Sequence, residues 1–299
     1  MNVFYADHHE VMLPDGHRFP MSKYRLLREQ LLNNQILHPE ELIASGPILE
    51  EIVARTHDPG YVKRFLHGQL TRSEMKQVGL PWSNTLVNRV KASTAGTLNA
   101  ARSALKDGIA GNLAGGTHHA MYDHGEGFCV FNDIAVAANE LIHTHMVEKI
   151  AVVDLDVHQG NGTAALFHHE PRVFTLSIHG KHNYPFKKVP GDCDYALEDE
   201  CDDTTYINTL REALDIVLEQ RPDIIFYQAG VDALKEDRLG RLALTMQGLR
   251  QRDMLVLSSC ERRNIPIVLT LGGGYCSPIK HTVDAYQQTY HIAKEIFQS

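Results

Sequence analysis

The chain has 299 residues, 43% hydrophobic and 22% charged, enough for one substantial core, and no compositional break divides it. A formal net charge of −8 without any cluster of Lys and Arg excludes the basic footprint of a nucleic-acid or anionic-membrane binder, and no run approaches the ~20 apolar residues of a membrane span. Five scattered cysteines, an odd number with no C-x-x-C pair, point to a reducing cytoplasm rather than a disulfide framework or a thiolate zinc site.

In chain order, the first twenty residues carry Asp7, His8, His9, Glu10, Asp15 and His17, which a signal peptide's apolar core does not tolerate. Short apolar runs predict strands at 3–5, 109–114, 150–155, 173–178, 224–228 and 265–271. Helical periodicity predicts helices at 22–34, 59–66, 84–106, 132–145, 204–220, 245–263 and 278–297. Continuous apolar strands separated by long helices imply an α/β fold: a mostly parallel sheet covered on both faces, in one domain over residues 1–299. The stretch 179–203 has no helix or strand pattern, and a loop of that length is usually functional. In parallel α/β sheets, ligands bind beyond the carboxyl ends of the strands. Here GGTHHA, DLDVHQGNG, SIH, AGVDAL and LGGGY follow or complete successive strands, so their polar residues converge on one rim.

In DLDVHQGNG, Asp154, Asp156 and His158 occupy alternate positions, which on a strand puts two carboxylates and an imidazole on one face. They have a bland explanation as caps for a helix starting near Gly160, but capping needs one side chain, and two carboxylates together repel unless a cation or donor lies between them. Imidazole and carboxylates without thiolate suit Zn2+ or Fe2+, with a position left open for water. Asp156 and His158 offer two ligands, and Asp232 in AGVDAL is the best third, with a helix cap as its alternative. The adjacent His118 and His119 can each face a different partner, one of them as a general base. Tyr275 follows Gly272, Gly273 and Gly274 and offers a phenol to a developing oxyanion; a phosphate nest is the weaker reading, since no Walker lysine or G-x-G-x-x-G accompanies the glycines. Eighteen histidines, several of them adjacent to one another or to Asp, fit metal or acid–base chemistry.

Together and in this order, GGTHHA, GEGFCVFNDIAVAA, DLDVHQGNGTA, AGVDAL and LGGGY resemble the zinc-dependent histone deacetylase family, whose members share the arginase/deacetylase α/β fold. FPMSKY and HDPGYV are less specific matches, and DVHQGNG and EDRLG look closest to the class IV branch and its bacterial relatives. The resemblance implies Asp156, His158 and Asp232 as zinc ligands, His118 backed by Asp154, His119 as principal general base and acid, and Tyr275 as the oxyanion donor. It further implies Gly127 and Phe128 as walls of an acyl-lysine tunnel, Leu239 at its rim and Gly273 in the substrate-binding turn. It also implies a K+ site at Asp154, Asp156, His158, Ser177 and Ile178. Two positions depart from the family pattern. Asn161 stands where many members place an aspartate beside the second histidine, and HNYPFKKVPGDCD replaces the usual FPGTG loop, leaving Tyr184 and Phe186 as alternatives for the second aromatic wall. The implied activity is removal of acetyl or related groups from lysine side chains of proteins or peptides. The alternatives are hydrolysis of acetylpolyamines or other acylated amines, and an acyl-lysine binding module without catalysis. The sequence specifies no oligomeric state.

Overall fold

The computed structural model describes residues 1–297. Eight strands form one sheet: β1 (Asn2–Tyr5), β2 (Leu42–Ala44), β3 (Ile109–Asn112), β4 (Ile150–Asp154), β5 (Val173–Gly180), β6 (Cys193–Leu197), β7 (Ile224–Gln228) and β8 (Ile267–Thr270). Their order is β2-β1-β3-β8-β7-β4-β5-β6, and every pairing is parallel, so the sheet is wholly rather than mostly parallel. The chain builds outward on both sides and then returns to fill the middle, which places β3, β8, β7 and β4 side by side.

Those four central strands are buried at every position. Alternation sends neighbouring side chains to opposite faces. Val153, Ile225, Tyr227 and Leu269 enter one core, with helices Lys23–Asn33, Asp203–Glu219, Met246–Glu261 and Lys280–Phe297. Val152, Ile224, Phe226 and Val268 enter the other, under helices Pro59–Leu66, Asn84–Asp107 and Asp133–His143. A strand that packs on both faces must be apolar throughout, which is why these segments read as unbroken runs.

Two elements correct the sequence reading. β5 continues to Gly180 and β6 lies inside 179–203, the stretch with no predicted pattern. β6 is an edge strand whose residues alternate between half-buried and exposed, and β2, also missed, is a three-residue edge. Neither needs an apolar run. β3 and β4 also stop before the predicted ends, at Asn112 and Asp154, so Asp156 and His158 lie in the turn beyond the strand rather than on its face.

Candidate metal centre and its tunnel

The exits of β3, β4, β7 and β8 deliver the predicted residues to one place. Asp156, His158 and Asp232 are all buried, and a donor atom from each lies within 4.8 Å of the others. His158 Nδ1 sits 2.9 Å from Asp156 Oδ1 and 3.0 Å from Asp232 Oδ2. The capping alternatives do not hold: the helix Asn161–Phe167 starts at Gly160 without a side-chain cap, and Asp232 accepts from the backbone of Val157 at 2.9 Å. Each carboxylate keeps an oxygen on the scaffold. Asp156 Oδ2 accepts from Gly273 N at 2.7 Å and from Gln228 Nε2 at 3.0 Å. Arg252, fully buried beside Asp253, donates to the Gly230 carbonyl at 2.5 Å and so holds the turn that carries Asp232.

The glycine at 273 is a requirement of close approach. A Cβ there would lie 1.7 Å from Asp232 Oδ2 and 2.9 Å from Asp156 Oδ2. Gly273 therefore lets the β8 turn press against both carboxylates and donate its N–H.

The electrostatics describe a charge deficit. Burial opposes a charged His158, yet hydrogen bonds accepted by Asp156 and Asp232 overcome it and push the imidazole up to about 10. Burial and repulsion from Asp156 raise Asp232 to about 7. Two desolvated carboxylates thus hold a proton on or beside the imidazole. A divalent cation takes the same place when His158 offers its Nδ1 lone pair and each carboxylate one oxygen, so the donor set fits Zn2+ or Fe2+.

The tandem histidines diverge. His118 Nδ1 lies 2.6 Å from Asp154 Oδ2, and His119 Nδ1 lies 2.6 Å from Asn161 Oδ1. Burial disfavours charge on His118, but Asp154 and Asp156 outweigh it and raise the ring to about 9. His119 is pushed well down by burial and by the neighbouring His118 and His158. Asn161 in turn donates from Nδ2 to Glu126 Oε1 at 2.6 Å. A carboxylate only accepts, so the amide must turn its NH2 to Glu126 and its oxygen to His119. His119 Nδ1 then carries the hydrogen, and Nε2 keeps its lone pair.

Tyr275 is buried, 6.4 Å ring to ring from His158. Its backbone N–H donates to Asp237 Oδ2 at 2.6 Å. Beneath it Lys23, 1% exposed, donates to the Gly272 carbonyl at 2.7 Å and lies 5.3 Å from the Tyr275 ring centre, with Phe19, Tyr24 and Tyr286 around it. The ammonium is held by a carbonyl and ring faces instead of a carboxylate.

Two cavities meet at these groups. The outer mouth, about 620 Å³, and an inner recess of about 80 Å³ share His119, Gly127, Phe128, His158 and Tyr275. Phe128 and Gly127 have φ of 67° and 57°, a left-handed pair that costs a phenylalanine energy and aims its ring at the passage. Tyr184 stands 5.0 Å from the His119 ring and lines the mouth, and Phe186, 87% exposed, lines its outer edge, so Tyr184 is the aromatic nearer to the site. Leu239 also lines the mouth. Ser177 pairs with Asp154 in the β4–β5 register, and Ile178 is buried beside it. Glu126, Gln228, Asp237 and Lys23 escaped sequence reading. Each acts through a contact between segments distant in sequence: Glu126, Lys23 and Asp237 lie in the motifs GEGFCVFNDIAVAA, FPMSKY and EDRLG, but the motifs did not reveal what these side chains hold, and Gln228 lies in none.

Comparisons with known proteins identify relatives of this chain. The histone deacetylase domain matches residues 17–290. An uncharacterised protein of Picosynechococcus is 39% identical over 99% of both chains. Histone deacetylase 2 of Arabidopsis thaliana is 34% identical over 60% of this chain, which spans 48% of that relative's length. A crystal structure of a histone deacetylase homologue from Aquifex aeolicus superposes with a TM-score of 0.82 at 23% identity, covering 100% of this chain and 88% of that one. On the match over residues 17–290, the chain belongs to the histone deacetylase family.

Proposed function

We propose that the chain is one catalytic domain over residues 1–299, a metal-dependent amidohydrolase that removes acetyl or related acyl groups from lysine side chains of proteins or peptides. The observation that carries this reading is the pair of adjacent imidazoles, one held by a carboxylate and one by an amide, beside Asp156, His158 and Asp232 at the base of an aromatic-walled passage.

A Zn2+ held by Asp156, His158 and Asp232, with Fe2+ the chemical alternative, supplies Lewis acidity to the amide carbonyl and brings the pKa of water toward neutrality. His119 Nε2, its lone pair free, accepts a proton from the attacking water and returns it to the leaving amine. Asp154 holds His118 charged, so that ring contributes positive charge beside the reacting carbonyl. The Tyr275 phenol, kept protonated by burial and the nearby carboxylates, donates to the carbonyl oxygen as it becomes anionic. Phe128 and Tyr184 sandwich the lysine methylenes, Gly127 and Gly273 line the amide, and Leu239 contacts the chain outside. K+ bound by Asp154, Asp156, His158, Ser177 and Ile178 would neutralise charge beneath the site. Five cysteines without a disulfide, three of them buried, are compatible with a reducing cytoplasm. None of the helices of the described residues is long and apolar enough to cross a membrane.

Tyr275→Phe tests the chemistry. Its kcat on an acetyl-lysine peptide is expected to fall roughly 10²- to 10³-fold while KM changes little. Near wild-type turnover would remove the oxyanion role.

A further inference from the structure

The mouth of the passage differs in charge from the rest of the molecule. The chain carries 37 Asp and Glu against 29 Lys and Arg, yet among the described residues no carboxylate lines the mouth. Arg18, Arg238, Arg241 and His182 line it instead, each exposed and each from a loop at the carboxyl edge of the sheet. Arg241 and His182 share Asp199, at 3.0 and 3.1 Å. Arg18 and Arg238 have no ion pair among the described residues, and exposed Lys187, next to Phe186, has none either.

The neighbouring acids are committed elsewhere. Asp237 is buried and receives backbone N–H groups from Leu239, Gly240 and Tyr275. Glu126 is tied to Asn161. Arg238 is fixed in place, because its Nε donates to the Tyr275 carbonyl at 2.8 Å while the rest of the guanidinium stays at the rim. Two guanidiniums without a carboxylate partner and an exposed phenylalanine on the same mouth form a surface for carboxylates and apolar side chains.

Resting on the deacylase reading, we infer that this rim selects acyl-lysines flanked by Asp and Glu, in acidic segments of proteins. An acylated lysine threaded into the passage leaves its neighbouring residues on the rim, where carboxylates meet Arg18 and Arg238. A polyamine or a lysine-rich tail presents ammonium groups there and is repelled. The attraction acts over about 10 Å at 0.1 M salt, so it governs encounter and KM more than the bond-breaking step.

The test uses acetyl-lysine peptides flanked by Asp/Glu, by Ala or by Lys, together with acetylspermidine, on the metal-loaded protein. Hydrolysis is measured at low and high salt, and binding of the labelled peptides by fluorescence anisotropy. The acidic peptide is expected to exceed the lysine-flanked one roughly tenfold or more in kcat/KM and affinity at low salt, with the gap closing at high salt. Arg18→Glu, at a residue outside the reacting machinery, should narrow that gap several-fold and leave kcat on the alanine peptide unchanged; an undiminished gap in this variant counts against the rim assignment. Equal affinity for all peptides, or preference for the lysine-flanked peptide or acetylspermidine, overturns the rim assignment. If no peptide is cleaved while the acidic one still binds tightest, the deacylase reading fails and the rim stands.

Discussion

Asn161 has one face toward His119 and the other toward Glu126, and an amide has only one way to satisfy both. Glu126 therefore sets the tautomer of a histidine it does not touch. Glu126→Ala frees the amide to flip, and activity on an acetyl-lysine peptide is expected to drop roughly 10- to 100-fold, the usual cost of losing a partner that orients a site imidazole. Glu126→Gln keeps an oxygen that can accept from Asn161, so most activity should survive. Asn161→Asp alone would set two carboxylates at the 2.6 Å separation now spanned by a hydrogen bond, and should be worse than Asn161→Asp with Glu126→Gln. Nitrogen-15 shifts of the His119 ring read the tautomer independently of turnover. An unchanged ring signal in Glu126→Ala would contradict the orienting role. None of this was legible beforehand: the departure at Asn161 was visible as a missing charge, but Glu126 lies thirty-five positions away, and only the fold brings it to the amide.

At the scale of elements, the site depends on how its scaffold is pinned. His57 is fully buried, lies 2.8 Å from the Met121 carbonyl through Nδ1 and accepts from the Asn132 backbone through Nε2. Its tautomer is thereby fixed. Asn132 caps the helix Asp133–His143 and donates to Thr163 in the helix behind His118. Burial lowers His57 from 6.5 to about 4, against the pull of the Met121 carbonyl. The folded-state pKa is below the unfolded one, so stability is fully present above about 6.5 and is lost as pH falls toward 4, on the order of 3 kcal/mol in total. Thermal melts from pH 7.5 to 5 should therefore show a smaller loss of Tm in His57→Gln than in the wild type, and equal slopes would contradict this placement. The HDPGYV motif that contains His57 was visible as a family feature, but its role as a pin was not. Long helices and central strands were readable because burial on one stripe or on both faces forces a pattern. β2 and β6 were not, because an edge strand is held by backbone pairing on one side and leaves its side chains free to vary.

Over the whole molecule, the sheet's strand order explains why motifs spread from residue 118 to residue 275 form one site. β3, β8, β7 and β4 are neighbours, so their exits are neighbours too. His118, His119, Asp156, His158, Asp232 and Tyr275 were legible because strand-end polar residues after apolar runs have few other reasons to exist. The cationic mouth was not, since Arg18 and His182 lie far in sequence from Arg238 and Arg241 and only the loops gather them. The central claim is that Asp156, His158 and Asp232 together hold one divalent cation on which hydrolysis depends. Elemental analysis of purified protein, followed through chelator titration and repeated on Asp156→Ala/Asp232→Ala, tests it most directly. The account predicts about one Zn2+ or Fe2+ per chain, acetyl-lysine hydrolysis falling in step with its removal and returning on reloading, and no ion in the double variant. Wild-type protein that cleaves the peptide without a stoichiometric ion, or a double variant that binds the ion as tightly as the wild type, would contradict it.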